Sequence, residues 1–155
     1  MITTNPVLRV PSAPPAEAAA FFAAKLACET DVSDVHGALQ SGAPGFVLVD
    51  TRGPAGWAQG HVPQAIHLPT DEIDVRARLE LDPSVPVVTY CWGPGCNGST
   101  RSALAFARLG FAVKEMIGGI EYWIREGLPV KTKHGLIARP VDELTAPRAV
   151  ITCEC

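Results

Sequence analysis

Two cysteines in one glycine-rich stretch are the residues of this chain best suited to covalent chemistry. They belong to the run Cys91-Trp92-Gly93-Pro94-Gly95-Cys96-Asn97-Gly98. The thiolate is the nucleophilic form of cysteine, and its population at neutral pH depends on the local electrostatics. Because two thiols this close together can also react with each other, the run indicates sulfur or redox chemistry.

The loop lies between a predicted strand and a predicted helix, and this position is expected to stabilise a thiolate. Tyr90 ends an apolar strand and Ser99 starts a helix, so the loop is expected at the sheet edge where open α/β folds bind ligands. Glycines let the backbone turn its N–H groups inward, and the helix N-terminus adds free N–H groups and a positive dipole end. A ring of amides binds anions. A cysteine inside such a ring is expected to have a lowered pKa and to act as a nucleophile.

The residues predicted to bind substrate surround the two candidate nucleophiles. Arg101, in the first turn of the predicted helix, can add a charge-assisted hydrogen bond to an anionic substrate. The predicted substrate-binding residues are Trp92, Gly93, Gly95, Asn97, Gly98, Ser99 and Arg101. This argument predicts a thiolate or anion site, and by itself it does not choose among sulfur, phosphate and arsenate chemistry.

Strands alternate with helices along most of the chain, which predicts an α/β fold with a mostly parallel sheet and helices on both faces. Apolar runs predict strands at 46–50, 65–68, 86–90 and 112–117. Helical spacing and terminal glycines predict helices at 16–28, 71–79, 99–109 and 120–126. A short helix capped by Ser33 is predicted to end near residues 41–42, and Ser99 is predicted to cap the helix after the loop.

Length and composition exclude several classes of protein. The chain has 155 residues, 47% of them apolar, which suits one domain with a real core. A net charge of −3 gives no support for a nucleic-acid or anionic-membrane partner. The sequence has no run of about 18 apolar residues and no apolar secretory segment near its start, so a cytoplasmic protein is expected. In that reducing compartment its five cysteines are not expected to form a disulfide framework.

Three ordered stretches at suitable distances share a pattern with a known family. They are Val49-Asp50-Thr51-Arg52 with Gly60-His61-Val62-Pro63, then Val88-Thr89-Tyr90-Cys91, then Gly118-Gly119-Ile120-Glu121-Tyr122-Trp123 with Gly127-Leu128-Pro129-Val130. Together they resemble the rhodanese family in its single-domain form, over about residues 46 to 130. We therefore predict a rhodanese-like domain at 31–130, an N-terminal extension with one helix at 1–30, and a C-terminal tail at 131–155.

The resemblance implies a sulfurtransferase, in which a cysteine takes sulfane sulfur as a persulfide and passes it to a nucleophile. Thiosulfate or a thiol persulfide is the implied donor, and a thiol, a protein thiol or a cyanide-like molecule is the implied acceptor. Neither a metal nor an organic cofactor is implied. The physiological donor and acceptor and the oligomeric state stay open, with a homodimer as one option.

The active loop departs from the common family pattern Cys-x-x-Gly-x-Arg-Ser. Cys91 is the nucleophile if the strand end and the helix length decide, because it directly follows the strand and leaves a helix of ordinary family length from Ser99. The loop is then two residues longer than usual. The local motif makes Cys96 the nucleophile, because residues 96–102 fit the pattern with Ser99 in place of glycine. On the sequence alone we favour Cys91, since an amide cradle needs several residues after the sulfur. In a third alternative both cysteines act, one as nucleophile and one as resolving thiol.

Other conspicuous residues receive mainly structural interpretations. Asp50 and Arg52 at a strand end could contact substrate, but a structural ion pair or turn contact is the favoured interpretation. His61 is expected to stabilise a turn rather than act as a base. Gly56 stands where the family often has an acidic residue, which puts a structural hydrogen bond in doubt. Trp92 either lines the pocket or is an exposed loop aromatic.

Two rival functions stay open. A phosphatase or arsenate reductase usually carries Cys-x5-Arg, and neither Cys91 nor Cys96 has an arginine six residues on. The other rival is a module that senses metal or redox state through its thiols. Cys153 and Cys155 could join the loop cysteines in a four-thiolate zinc site, although Cys-x-Cys is not the usual ligand spacing. A redox or sulfur-accepting role for these two terminal cysteines is also open.

Overall fold

The computed structural model describes residues 5–146, which form an α/β fold. The strands of its main sheet are β1 (Glu29–Thr30), β2 (Val47–Asp50), β3 (Ile66–His67), β4 (Val87–Tyr90) and β5 (Val113–Met116). The helices are α1 (Pro15–Cys28), α2 (Val32–Gln40), α3 (Pro54–Gln59), α4 (Ile73–Glu80), α5 (Gly98–Arg108) and α6 (Gly119–Arg125). The strand order is β1-β5-β4-β2-β3 and every pairing is parallel, so the predicted fold class is confirmed.

Alternating side chains on the central strands divide the core into two layers. Successive residues of a strand point to opposite faces of a sheet, and Leu48 and Val49 accordingly lie in different layers. Trp123 of α6 packs in the first layer, and Ile73 of α4 and Phe106 of α5 pack in the second. Burial of each large apolar side chain stabilises the fold by about 2 kcal/mol. Burial on both faces explains the continuous apolar runs of the central strands.

The start of α2 differs from the prediction. Its N-cap is Asp31, whose carboxylate accepts a hydrogen bond from the Asp34 N–H at 2.8 Å. Ser33 therefore lies inside the first turn, and its predicted capping role is wrong. Aspartate and serine are both good N-caps, so the sequence offers two candidates two residues apart and the backbone path selects between them.

Part of the segment predicted as a tail is folded. Residues Val130–Thr132 (β6) and Gly135–Ile137 (β7) form an antiparallel hairpin. The backbones of His61 and Lys131 exchange hydrogen bonds of 3.1 and 2.8 Å, which tie the hairpin to the turn after α3. These strands, like β1 and α3, are too short to show a hydrophobic period. The division of the chain into extension, domain and tail stays a prediction.

The predicted N-terminal helix is confirmed as α1, which buries none of its side chains. It packs beside β1 and β5, and the Lys114 ammonium donates a hydrogen bond to the Leu26 carbonyl at 2.8 Å. Phe21 and Phe22 are exposed on this helix. A homodimer stays a prediction. Across residues 5–146, no helix is long and apolar enough to cross a membrane.

Candidate active site

Three strand ends meet at one edge of the sheet and bring functional side chains together. β2 ends in Asp50, β4 leads directly into Cys91, and β5 places Glu115 one residue before its end. In the parallel registers Asp50 lies beside Tyr90, and Glu115 lies beside Thr89. This carboxyl edge is where open α/β sheets bind ligands.

The first half of the cysteine loop is fixed against the start of α6. The N–H groups of Ile120 and Glu121 donate to the carbonyls of Cys91 and Trp92 at 3.0 and 2.9 Å. A Cβ on Gly119 would lie 2.6 Å from the Cys91 carbonyl oxygen, and the φ of +61° there also favours glycine. The start of α6 therefore covers Cys91, which is only 7% exposed.

Gly119→Ala is expected to lower the free energy of unfolding by about 3 kcal/mol, because a methyl group would meet backbone atoms that cannot rotate away. Gly110→Ala is the matched control, since Gly110 also has a positive φ of +91° but an added Cβ meets nothing within 4 Å. Its expected cost is about 1 kcal/mol. Urea denaturation followed by circular dichroism measures both, and equal losses would contradict a special contact between Gly119 and the loop.

The two loop sulfurs are in contact. Cys96 Sγ lies 3.3 Å from Cys91 Sγ, and the Gly98 N–H donates to Cys96 Sγ at 3.4 Å. A Cβ on Gly98 would lie 2.6 Å from the Cys91 sulfur and 3.3 Å from the Cys96 sulfur, so the absence of a side chain there makes room for both thiols. Cys91 is buried, whereas Cys96 is partly exposed. An incoming substrate therefore reaches Cys96 more readily.

The two thiols differ in acidity. Burial raises the pKa of Cys91 to about 11, and the adjacent Cys96 sulfur adds to the effect. The Gly98 N–H lowers the pKa of Cys96 because it stabilises the thiolate. The expectation of a lowered pKa inside the loop is therefore correct for Cys96 and wrong for Cys91. The reason is that the backbone amide at the start of α5 donates to Cys96, whereas Cys91 is buried against the start of α6.

The pH dependence of alkylation is expected to separate these two thiols. Because the thiolate is the reactive form, each rate rises as the pH passes through the corresponding pKa. Cys96 is expected to react with a midpoint lower than that of an ordinary thiol, because its pKa is lowered by the Gly98 N–H. Cys91 is expected to react only as the pH approaches about 11. Peptide-level mass spectrometry of reduced protein treated with iodoacetamide measures both rates, and faster labelling of Cys91 at neutral pH would contradict this assignment.

A cavity of about 180 Å³ opens beside the two sulfurs. Its lining includes Cys91, Cys96, Ser99, Glu115 and Gly118. A more open depression of about 510 Å³ shares Cys96 and Glu115 with it. Among the described residues that line these two spaces there is neither a lysine nor an arginine. Among the described lining residues, the charged side chain is therefore the Glu115 carboxylate.

Glu115 is the site residue that the sequence analysis missed. Its carboxylate accepts hydrogen bonds from the Ser99 hydroxyl at 2.8 Å and from the Thr100 hydroxyl at 2.9 Å. It therefore lies at the start of α5, close to where the anion site was predicted. The signal that could have identified it is a charged residue near the carboxyl end of a predicted strand.

The start of α5 differs from the prediction in ways that matter for the site. The helix begins at Gly98 with Asn97 as its N-cap residue, so the predicted capping role of Ser99 is wrong. The Ser99 hydroxyl donates to Glu115 instead, because β5 brings that carboxylate within reach. Arg101 is exposed, and its Nε donates to Asn97 Oδ1 at 3.1 Å. Arg101 lines neither space beside the sulfurs, and its contact with a bound anion stays a prediction.

The other predicted loop residues face different surroundings. Gly93 lines the sulfur cavity, and a Cβ on it would lie 3.0 Å from a carboxylate oxygen of Glu121. Gly95 lines the open depression, and the space around it is free. Trp92 is 44% exposed, and the Arg52 guanidinium stacks on its ring at 4.5 Å. Trp92 lines a separate cavity of about 260 Å³, and neither cysteine is among the residues that line it.

A buried ion pair supports the loop from β2. The Asp50 carboxylate and the Arg52 guanidinium lie 2.6 Å apart with both side chains buried, which confirms the predicted pair. The Tyr90 hydroxyl donates to Asp50 at 2.7 Å and accepts from the Val62 N–H at 3.1 Å. Arg52 also donates to the Gly60 carbonyl at 2.6 Å. Burial and the Asp50 charge raise the pKa of Tyr90 well above its usual value, so its hydroxyl stays protonated as a donor.

Two residues between β2 and β3 have structural explanations. A Cβ on Gly56 would lie 2.9 Å from the Trp92 ring and 3.1 Å from the Arg52 Cβ, so glycine there makes room for the stacked pair. The His61 ring stacks on Trp57 with centroids 3.4 Å apart, and its Nδ1 lies 2.9 Å from the Trp57 carbonyl oxygen. These contacts agree with the structural role expected of His61.

Within residues 5–146, no group of three or more histidine, cysteine, aspartate or glutamate side chains could hold a metal ion. Cys28 is exposed at the end of α1. Cys153 and Cys155 lie outside the described residues. The four-thiolate site and the redox role of these two cysteines therefore stay predictions.

Comparison with known proteins assigns the fold to a family. Residues 31–126 match the rhodanese-like domain family. The chain belongs to this family. The matched part of the rhodanese-like domain extends from the residue before α2 to the residue after α6 and contains the cysteine loop, the buried ion pair and Glu115.

Relatives of the rhodanese-like domain agree with this assignment. A protein of Allochromatium vinosum named as a sulfurtransferase is 39% identical over 93 residues, which are 57% of this chain and 81% of that protein. The crystal structure of the BH2092 protein from Bacillus halodurans is 41% identical with a TM-score of 0.74, and the match covers 79% of this chain and 89% of that one. A full-length protein from Lactobacillus plantarum is 26% identical with a TM-score of 0.69, over 77% and 99% of the two chains. The rhodanese resemblance found in the sequence is thereby confirmed.

Proposed function

We propose that this rhodanese-like domain is a sulfurtransferase that carries sulfane sulfur as a persulfide on Cys96. Membership of the family and the relative named as a sulfurtransferase support the reaction class. The observation that carries the choice of sulfur is the environment of Cys96, which is partly exposed and accepts the Gly98 N–H at 3.4 Å. Cys91, which the loop position favours, is buried and less acidic.

The proposed reaction has two steps. The Cys96 thiolate attacks the outer sulfur of the donor, and the leaving group takes the electron pair of the donor's sulfur–sulfur bond. The leaving group is sulfite when thiosulfate is the donor and an alkyl thiolate when an alkyl persulfide is the donor. A thiolate or cyanide acceptor then attacks the outer sulfur of the persulfide and restores the Cys96 thiolate. The Gly98 N–H stabilises that thiolate at the start and at the end of the cycle.

Mapping the persulfide tests this proposal. The reduced protein is incubated with thiosulfate or with an alkyl persulfide, capped with an alkylating agent and digested. The expected result is one added sulfur atom on the peptide that contains Cys96, located there by fragmentation. Cys28→Ser is a control that keeps both loop cysteines and is expected to load equally. An adduct found on Cys91 in place of Cys96, or no adduct from either donor, would overturn the assignment.

The charge of Glu115 is expected to make thiosulfate a poor donor. A dianion beside this carboxylate is repelled, and no cationic side chain among the described lining residues offsets the repulsion. Glu115→Gln removes the charge and keeps an oxygen that can accept from the Ser99 and Thr100 hydroxyls. We expect kcat/KM for thiosulfate to rise about tenfold at low salt, with a smaller change for an uncharged alkyl persulfide.

Steady-state kinetics with the two donors measure this effect. Ser99→Ala is the matched control, because it removes one hydrogen bond to Glu115 and leaves the negative charge in place. It is expected to affect the two donors in the same proportion. If Glu115→Gln changes both donors equally, the carboxylate does not select donors by charge.

A further inference from the structure

Sulfur transfer through Cys96 needs no second thiol, yet the sulfur of Cys91 is in contact with the sulfur of Cys96. Cys91 Sγ lies 3.3 Å from Cys96 Sγ, and a disulfide would require an approach of only about 1 Å more. Both thiols are free in the structure, and they line the same cavity. The buried Cys91 thiol is therefore close enough to attack the Cys96 sulfur once that sulfur carries a persulfide.

Space for this approach is built into the start of α5. Gly98 lies directly against both sulfurs, where any side chain would meet the Cys91 sulfur at 2.6 Å. Cys91 is held in place from the other side, because its carbonyl accepts the Ile120 N–H at 3.0 Å. Among residues 5–146, the thiol in contact with the Cys91 sulfur is that of Cys96, whose sulfur would become the inner sulfur of a persulfide formed there.

We propose that Cys91 is a resolving thiol that converts the Cys96 persulfide into a Cys91–Cys96 disulfide and releases sulfide. The inference rests on the persulfide proposed above for Cys96. It adds a second activity to the same site, namely reduction of sulfane sulfur to sulfide when no acceptor is bound.

The step balances in atoms and electrons. The Cys91 sulfur attacks the inner sulfur of the Cys96 persulfide, a new sulfur–sulfur bond forms between the cysteines, and the bond to the outer sulfur breaks. The outer sulfur leaves as hydrosulfide and takes the proton of the Cys91 thiol. The sulfane sulfur is thereby reduced, and the two cysteine sulfurs are oxidised to the disulfide. The high pKa of Cys91 fits this order of events, because its proton is released only when the departing sulfur can accept it.

A thiol reductant, either a small thiol or a protein dithiol, must close the cycle. It attacks the disulfide at Cys96, which is the more exposed sulfur, and a second thiol completes the reduction to two free cysteines. The burial of Cys91 protects it from direct reaction with the sulfur donor. The site therefore has two outcomes: transfer when an acceptor reaches the persulfide first, and sulfide release when Cys91 does.

A single-turnover experiment without reductant tests the inference. The reduced protein is mixed with an alkyl persulfide donor in the absence of acceptor, released sulfide is quantified, and the protein is alkylated and mapped. The wild-type protein is expected to release close to one equivalent of sulfide and to yield a Cys91–Cys96 disulfide peptide. Cys91→Ser and Cys91→Ala are expected to retain the persulfide on Cys96 and to release sulfide at least about tenfold more slowly.

Two controls separate the loop cysteines from the others. A variant with Cys28, Cys153 and Cys155 all changed to serine is expected to behave as the wild type does, because the proposed step uses the loop pair alone; loss of sulfide release in this variant would contradict that step. Diamide treatment without any sulfur donor is expected to form the same Cys91–Cys96 disulfide, which tests the pair independently of sulfur transfer.

The outcomes distinguish the two proposals. A stable persulfide on Cys96 in the wild-type protein, without sulfide release, would overturn the resolving role of Cys91 and leave sulfur transfer intact. Equal sulfide release from the wild type and both Cys91 variants would overturn it as well. The absence of persulfide, disulfide and sulfide in every variant would overturn the proposed sulfurtransferase and the resolving step together.

Discussion

Cys96→Ser is expected to lower kcat/KM for sulfur transfer from thiosulfate to cyanide by at least about a thousandfold. Serine preserves the size and the position of the side chain, but its hydroxyl is not ionised at neutral pH and does not form a persulfide. The loss therefore reports the nucleophile rather than the fold. Steady-state kinetics measure it, and circular dichroism checks that the variant is folded.

The comparison with other cysteine variants decides the role of each thiol. Cys28→Ser is expected to retain wild-type turnover, because Cys28 is exposed at the end of α1, outside the loop and both spaces beside the sulfurs. If Cys96→Ser retains activity and Cys91→Ser loses it, the nucleophile is Cys91, as the position of the loop after the strand favours. That result would mean that burial is relieved when substrate binds, and it would reverse the roles proposed above.

Asp50→Ala is expected to destabilise the protein by about 3–5 kcal/mol. The change leaves the buried Arg52 guanidinium without its carboxylate, and it leaves the Tyr90 hydroxyl without its acceptor. The Gly60 carbonyl and the Trp92 ring remain beside Arg52, but a buried charge that loses its opposite charge is strongly destabilising. Because the Arg52 guanidinium stacks on Trp92, the loop is also expected to lose order, and sulfur loading is expected to fall.

Chemical denaturation with a matched surface variant measures this effect. Glu80→Ala breaks the ion pair between Glu80 and Arg76, whose partners are both partly exposed on α4. An exposed pair of this kind contributes little to stability, because solvent screens the two charges. If the two variants lose similar stability, the Asp50–Arg52 pair does not support the fold in the way that its burial indicates.

The periodic parts of the fold could be predicted from the sequence. The central strands β2 and β4 are buried on both faces, so their residues form continuous apolar runs that are visible without a structure. Elements of two or three residues, such as β1 and the β6–β7 hairpin, carry no period and were missed. The caps of α2 and α5 were placed wrongly because several residues near each start can accept or donate the same hydrogen bonds.

The position of the candidate site in the fold could also be predicted, but the side chains that surround its two sulfurs could not. A glycine-rich cysteine loop between a strand and a helix predicts an anion-stabilising cradle from local chemistry alone. Glu115 was missed because it lies 19 residues beyond Cys96 in the sequence, and only the pairing of β5 with β4 brings it to the start of α5. The ring of Trp92 stacks on Arg52 beside a separate cavity, which no local pattern indicates, and its contact with substrate stays a prediction.

The sequence by itself predicted an α/β sheet of the rhodanese type and singled out Cys91 and Cys96 as the candidate nucleophiles. The sheet follows from hydrophobic period and the candidate nucleophiles from residue type, which are local, and the family was predicted from the resemblance of three motif stretches. Only the tertiary structure decided how the two thiols differ. The start of α6 buries Cys91 and raises its pKa to about 11, while the first N–H of α5 faces Cys96 and lowers its pKa. Burial and hydrogen bonding set thiol acidity, and both depend on elements that meet only in the folded chain.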